Sequence, residues 1–212
     1  KYNNNGDYVW ARSVGGDGFD KGTSITVDVT ENVYITGYFQ GTADFNPGSG
    51  TNNLTTPGNE AVFFAKYDNN GNYVWAKGVG GTGTNSDIGT DIIIDGTGNI
   101  YITGYFEGTA DFNPGSGTNN LTAVGNADIF FAKYDNSGDY VWAKSIGNTS
   151  DDIGNSIAID NSGNVYIVGY FEGATDFNPG TGTNTLTTSG DREVFFAKYD
   201  NNGDYILAKN AN

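Results

Sequence analysis

The 212-residue chain contains no histidine and no cysteine. Those absences remove zinc sites, Ser–His triads, thiol nucleophiles, haem ligation and disulfide staples together. Basic residues are scarce as well: 10 Lys and Arg stand against 25 Asp and Glu, a formal net charge of −15. A field of that sign repels phosphate backbones, so nucleic acid is excluded as a partner and cations are favoured. No apolar run approaches the ~18 residues needed to span a bilayer, so no membrane span is expected. No signal peptide is recognisable, and the chain opens on Lys1 rather than Met. That start suggests a sequence processed or excised from something longer.

What is present is aromatic and glycine-rich. With 33 Gly, 14 Tyr, 13 Phe and 3 Trp but only 4 Pro, the composition suits short strands and many turns, and the rings need a core to enter. Internal repetition organises the chain. Lys1-Tyr, Lys66-Tyr, Lys133-Tyr and Lys198-Tyr each open the same phrase, at spacings of 65, 67 and 65 residues. Asp44-Phe-Asn-Pro-Gly recurs at Asp111 and Asp176. This gives three repeats of about 66 residues (22–89, 90–155 and 156–212), preceded by a surplus copy of the phrase and a link in 1–21, as one continuous repeat domain.

Each repeat reads as four strands. In the first they are Ile25–Asp28, Val33–Phe39, Val62–Tyr67 and Tyr73–Lys77, with counterparts in the other two. Period-2 alternation marks the strands, and Asp/Asn/Gly turns such as Asp95-Gly-Thr-Gly-Asn99 separate them. No segment sustains a helical period. The fold class expected is all-β, with propeller-type four-stranded antiparallel blades and a surplus N-terminal strand at Tyr8–Ala11. Usual blades run ~40–50 residues, so the excess is assigned to a linker over 41–60 and its counterparts.

The phrase Phe63-Phe-Ala-Lys-Tyr-Asp-Asn-Asn-Gly-Asn-Tyr-Val-Trp-Ala-Lys77, with Gly163-Asn-Val-Tyr-Ile-Val-Gly-Tyr-Phe171, resembles the SBBP-type repeat of bacterial surface β-propellers. The resemblance covers nearly the whole chain. It implies a secreted or cell-surface bacterial setting and little specific activity. Relatives commonly carry a second Asp in the loop where this chain has Asn46, Asn113 and Asn178, which implies weaker binding if the loop holds a cation.

Three units fall short of the ~4 blades of a closed propeller. Two explanations stand: neighbouring blades of a longer chain, or self-association into a homo-oligomer or filament in which the surplus strand completes a neighbour's sheet. Leu207 replaces the Trp found at 10, 75 and 142, as in a terminal capping unit.

The loops at Asp44/Asn46, Asp111/Asn113 and Asp176/Asn178, with Glu107 and Glu172 just upstream, offer oxygen ligands for a hard cation such as Ca²⁺. The same residues also read as Asx-turns in which Phe45, Phe112 and Phe177 plug the core. The acids Asp20, Asp87 and Asp152 read as solvated groups or backbone caps, and Asp135–Asp139 and Asp200–Asp204 as plain turns. Rings at Tyr38-Phe39, Tyr105-Phe106 and Tyr170-Phe171, and the Trp residues, fit either glycan stacking or packing between blades. A catalytic carboxylate pair needs two unlike environments and occurs once. The notable acids here recur in every unit, so no enzyme is expected. The function expected is an extracellular structural or adhesive module of a bacterial surface; the alternative is a carbohydrate- or protein-binding propeller module of a larger secreted protein.

Overall fold

The computed structural model describes residues 1–210, so the last two residues assigned to the third repeat lie outside the described residues. Its strands are β1 (Gly15–Gly16), β2 (Lys21–Val27), β3 (Val33–Asp44), β4 (Asn53–Tyr67), β5 (Tyr73–Gly81), β6 (Gly83–Ser86), β7 (Ile88–Ile94), β8 (Ile100–Asp111), β9 (Asn120–Tyr134), β10 (Tyr140–Ile146), β11 (Ile153–Ile159), β12 (Val165–Phe171), β13 (Ala174–Asp176), β14 (Thr185–Thr187), β15 (Glu193–Tyr199) and β16 (Tyr205–Asn210). Among the described residues there is no helix. Pairing is antiparallel except for a short parallel match of β4 with β6. Each repeat forms a four-stranded meander: β2-β3-β4-β5, β7-β8-β9-β10 and β11-β12-β15-β16.

The expected linker over 41–60 is an extension of the second and third strands. After a bulge between Gln40 and Thr42, β3 and β4 resume pairing at Thr42↔Thr55, Ala43↔Leu54 and Asp44↔Asn53. The bulge is where Gly41 takes a φ of +71°, a conformation open to glycine at low cost. The second and third repeats build the same finger, with Gly108 and Gly173 at +64° and +74°.

The surplus phrase makes less ladder than expected. Residues 1–10 form a hairpin with one isolated bridge, Tyr2↔Tyr8, and the next paired residues are Gly15 and Gly16, opposite Asp44 and Ala43. Its third strand is reduced to Lys1-Tyr2, so most of the segment has no partner strand.

Neighbouring repeats are sewn together along their first strands, where β2 lies beside β7 and β7 beside β11. A bulge in each first strand places Thr23, Thr90 or Asn155 as the extra residue. Thr23 donates its hydroxyl to Gly89 O of the next repeat at 2.5 Å, and Thr90 does the same to Gly154 O at 2.6 Å. Asp91 joins all three repeats, accepting from Ser24 and Ser156 hydroxyls at 2.6 Å each. Two apolar cores fill the seams. Tyr34, Val62 and Phe64 of the first repeat pack with Ile92, Ile102 and Tyr134 of the second; Tyr101, Ile129 and Phe131 pack with Ile157, Ile167 and Tyr199 of the third.

Each second strand carries a glycine, Gly37, Gly104 or Gly169, over which the first strand passes closely. A Cβ on Gly104 would collide with Ile88 O and come within 2.8 Å of the Phe130 ring. Gly104→Ala is therefore expected to destabilise the chain by about 3 kcal/mol, read as a fall in the urea midpoint at constant slope. Gly96→Ala, where a Cβ meets nothing within 4 Å, is the control and is expected to change little.

Candidate functional site

The Asp-Phe-Asn-Pro-Gly loops cap the β-fingers, and the three copies share one geometry. Asp44 Oδ1 accepts from the backbone N–H of Asn46 and of Asn52, both at 2.9 Å. Asp111 does so from Asn113 and Asn119 at 2.9 and 2.8 Å, and Asp176 from Asn178 and Asn184 at 3.0 and 2.8 Å. The amide oxygens of Asn46, Asn113 and Asn178 accept from the N–H of Gly48, Gly115 and Gly180 at 2.8–2.9 Å. Phe45, Phe112 and Phe177 are buried. Their carbonyls accept the hydroxyls of Tyr67, Tyr134 and Tyr199 at 3.0–3.1 Å. The Asx-turn is thus built in full from the protein's own groups. The N–H groups of Asn52 and Asn46 hold the Asp44 carboxyl below the usual range.

Glu107 and Glu172 sit at the finger bulges, where their backbone groups, not their carboxylates, bond to the preceding repeat. Glu172 takes Arg192 Nε at 2.6 Å, and that guanidinium lies 4.5 Å from the centre of the Tyr170 ring. Glu107 offers its backbone oxygen to Asn85. Among the described residues no three acidic side chains gather closely enough to hold a metal ion. Phe39, Phe106 and Phe171 are buried. Trp142 donates its indole N–H to Asn201 O at 3.1 Å, and Trp75 packs beside the core of the first seam. Among these rings, packing between repeats accounts for both Trp75 and Trp142.

Groups that sequence reasoning undervalued lie at the repeat junctions. Asp87 and Asp152 are 1% and 0% exposed. Asp87 accepts from Gly81 N at 2.7 Å and Glu107 N at 3.4 Å. Asp152 accepts from Asn148 N at 2.8 Å, Glu172 N at 3.2 Å and the Thr175 hydroxyl at 3.1 Å. They are backbone caps, as one reading allowed, but deeply buried ones. Burial pushes Asp87 up to about 6 and Asp152 up to about 7. Asp128, a position that is Ala61 in the first repeat and Glu193 in the third, is buried with Oδ1 unpartnered and rises to about 6 for the same reason. Its charge also raises Asp152. For Asp87 and Asp152 local sequence held no signal, because Asn and Ser residues precede each of them as they do an exposed turn acid, whereas Asp128 adjoins the apolar run Ile129-Phe130-Phe131.

Residues 141–170 match the SBBP β-propeller repeat family. That stretch carries a repeat of the SBBP β-propeller type. The matched stretch runs from β10 through β12, and its phrases recur in the other repeats. An uncharacterized WD repeat-containing protein of Acanthamoeba polyphaga mimivirus is 28% identical over 221 residues, covering 91% of this chain and 16% of that protein. The chain therefore spans about a sixth of that relative's length. A crystal structure of a protein of unknown function from Bacteroides caccae is 11% identical and covers 90% of this chain and 82% of that one. Its TM-score of 0.27 is too low to carry an argument.

In these repeats the loops complete themselves, so chelation is expected to leave the melting temperature unchanged. A fall on adding EDTA that Ca²⁺ reverses would instead establish ion binding at the loops. Asp111→Ala orphans two N–H groups and is expected to lower Tm by about 4 °C. Asp111→Asn keeps the accepting oxygen and is expected to lower it much less.

The buried acids set a pH dependence of definite sign. A carboxyl whose folded pKa is raised binds its proton more tightly in the fold than in the unfolded chain, so stability falls as pH rises from about 4 to about 7. Asp28 opposes this at lower pH: although partial burial works against ionisation, bonds from Asn32 and Thr30 hold it at about 2, and that contribution is lost as pH falls from about 4 towards 2. Maximum stability is expected near pH 4–5, several degrees in Tm above that at pH 8. Asp152→Asn should flatten the slope between pH 5 and 8; an unchanged slope would remove Asp152 as its source.

Proposed function

We propose that the chain is a non-enzymatic, extracellular structural and adhesive repeat module of a bacterial cell surface. One observation carries this reading: most of the polar and aromatic side chains that recur from repeat to repeat are committed to the scaffold. The loop acids close Asx-turns, the bulge threonines tie first strands together, and Trp142 and Lys144 clasp the turn of the following repeat. The acids that recur in the three loops sit in one repeated geometry, unlike the single pair of dissimilar carboxylates that acid–base chemistry needs. A net charge of −15 and the lack of cysteine suit a soluble, redox-indifferent surface component.

A second reading, a carbohydrate- or protein-binding module of a larger protein, has one observation in its favour. A groove of about 510 Å³ opens between the second and third repeats, lined by Asp95, Thr97, Lys133, Asp160, Ser162 and Asn201. Such convergent polar groups suit sugar hydroxyls.

Beads coated with the chain, mixed with bacterial cells and with uncoated beads, separate the two. The structural reading expects cell- or self-adhesion that survives Asp95→Ala together with Asp160→Ala, with no signal on a glycan array. Selective glycan signal abolished by those substitutions would replace it with the second reading.

A further inference from the structure

Every seam inside the chain joins two unlike sheet faces. A leading face, formed by the second and third strands, carries Tyr34, Thr36, Val62 and Phe64 in the first repeat and Tyr101, Thr103, Ile129 and Phe131 in the second; all are at most 1% exposed. A receiving face on the next repeat brings an isoleucine of the first strand and the tyrosine that ends the third. Phe64 stacks on Tyr134 with ring centres 4.4 Å apart, and Phe131 on Tyr199 at 4.5 Å.

At the two ends of the described chain, one face of each kind stands open. The leading face of the third repeat presents Tyr166, Val168, Val194 and Phe196 at 36%, 41%, 56% and 53% exposure. The receiving face of the first repeat presents Ile25 at 67% and Val27 at 59%, whereas the counterparts of Ile25, Ile92 and Ile157, are 3% and 5% exposed. Beside Ile25 and Val27 lies an apolar groove of about 530 Å³ walled by Tyr2 and Trp10.

We propose that these two faces dock on one another between copies of this chain, head to tail. The inference rests on the reading of the chain as a structural repeat module and names its partner as a second copy. The occupant follows from the interface already made twice within the chain. Tyr34 and Lys66 both donate to Asn136 Oδ1 of the next repeat, at 3.3 and 2.9 Å, and Tyr101 and Lys133 both donate to Asn201 Oδ1, at 3.1 and 2.6 Å. The third repeat holds the same pair ready, with Lys198 Nζ 4.8 Å from the centre of the Tyr166 ring. The matching acceptor on the first repeat is Asn69.

In the isolated chain the N-terminal hairpin holds the backbone of the turn that carries Asn69. Lys1 Nζ and the Trp10 indole N–H both donate to Asn69 O, at 3.3 and 3.2 Å, and Arg12 donates to Asn70 O and Gly71 O at 3.1 and 3.2 Å. Residues 1–12 are the sequence counterparts of 198–209. Docking therefore replaces one copy of the phrase by another, the hairpin leaving and the partner's β15–β16 end taking its place. The incoming copy has Leu207 in the place of Trp10 and adds the ring of Phe196 and the branched chains of Val168 and Val194 over Ile25 and Val27. Because the interface is heterologous, it propagates to further copies.

Size-exclusion chromatography with light scattering on the 212-residue chain tests this. The expected result is mass above the 22.4 kDa monomer that grows with concentration, or a monomer that associates once Trp10→Ala loosens the hairpin. Trp10→Ala should lower the concentration for half-association at least tenfold. Phe196→Asp, at a position exposed in the monomer, should abolish association while leaving Tm unchanged. As the chain has no cysteine, Lys209→Cys chains mixed with Asn72→Cys chains should cross-link through a short bismaleimide, and Lys209→Cys chains alone should not. A wild type and a Trp10→Ala variant both monomeric at millimolar concentration, association indifferent to Phe196→Asp, or efficient cross-linking of Lys209→Cys chains to themselves would each overturn the proposal. Monomers that still confer bead adhesion would sink the docking alone and leave the structural reading standing.

Discussion

A four-stranded antiparallel sheet has two faces to cover, and this chain covers them with copies of itself. Neither face of a repeat is polar enough to stand in water: Phe64 and Phe130, each fully buried, point to opposite faces of equivalent third strands, because successive strand residues alternate. One ring enters the preceding seam and the other the following one. The same sequence phrase therefore has to supply both halves of an interface, which is why its apolar residues come in adjacent pairs such as Phe63-Phe64, Phe130-Phe131 and Phe195-Phe196. Burying each pair contributes on the order of 3–6 kcal/mol per repeat by area, but only when a neighbour is present. Stability is then a property of seams more than of units.

The seams also need direction, since apolar faces alone would tolerate sliding. Polar ties supply it. The extra residue of each first-strand bulge re-aims a hydroxyl across the seam, and Asp91 fixes the registers of β2 and β11 against β7 through two serines. Glycine allows the close approaches: Gly138 and Gly203, with φ of +75° and +76°, let the turns lie under the Trp and Lys side chains of the preceding repeat, whose atoms a Cβ would meet at 3.1–3.3 Å. In the first repeat the equivalent of one hairpin glycine is Glu31, which takes a φ of 62° and pairs with Lys1 at 2.9 Å, an arrangement in which the ion pair accompanies a strained backbone.

Strand positions and repeat boundaries were legible because they depend on neighbours in sequence: alternation at Val33–Phe39 and Asx-Gly turns at Asp68–Asn72 are local signals. The fingers were half legible. Thr42-Ala-Asp44 and Asn53-Leu-Thr55 alternate as strands do, yet glycines at 41, 48 and 50 mask them, and one of these is a bulge rather than a break. The loop residues were found, with both a ligand set and an Asx-turn written in the same Asp-x-Asn spacing; only the positions of the backbone N–H groups show how the turn is made. The junction acids were not legible as buried groups. Asp87 and Asp91 lie four residues apart in similar surroundings, and what separates a capped, desolvated acid from a bridge between repeats is packing contributed by residues far along the chain.

Repetition in sequence does not make the two junctions equal. At the first, Gly80 and Gly81 pair as a ladder with Asp111 and Ala110, and Gly80 faces the methyl of Ala61. At the second, Gly147 faces the carboxylate of Asp128, and the ladder gives way to side-chain ties from Asn148 to Glu172 O and Thr175 at 2.5 Å each. There the charge of Asp128 adds to the burial that raises Asp152, and at the first junction Glu107 and Glu60 add to the burial that raises Asp87. The first junction is therefore held by a backbone ladder and the second by side-chain contacts.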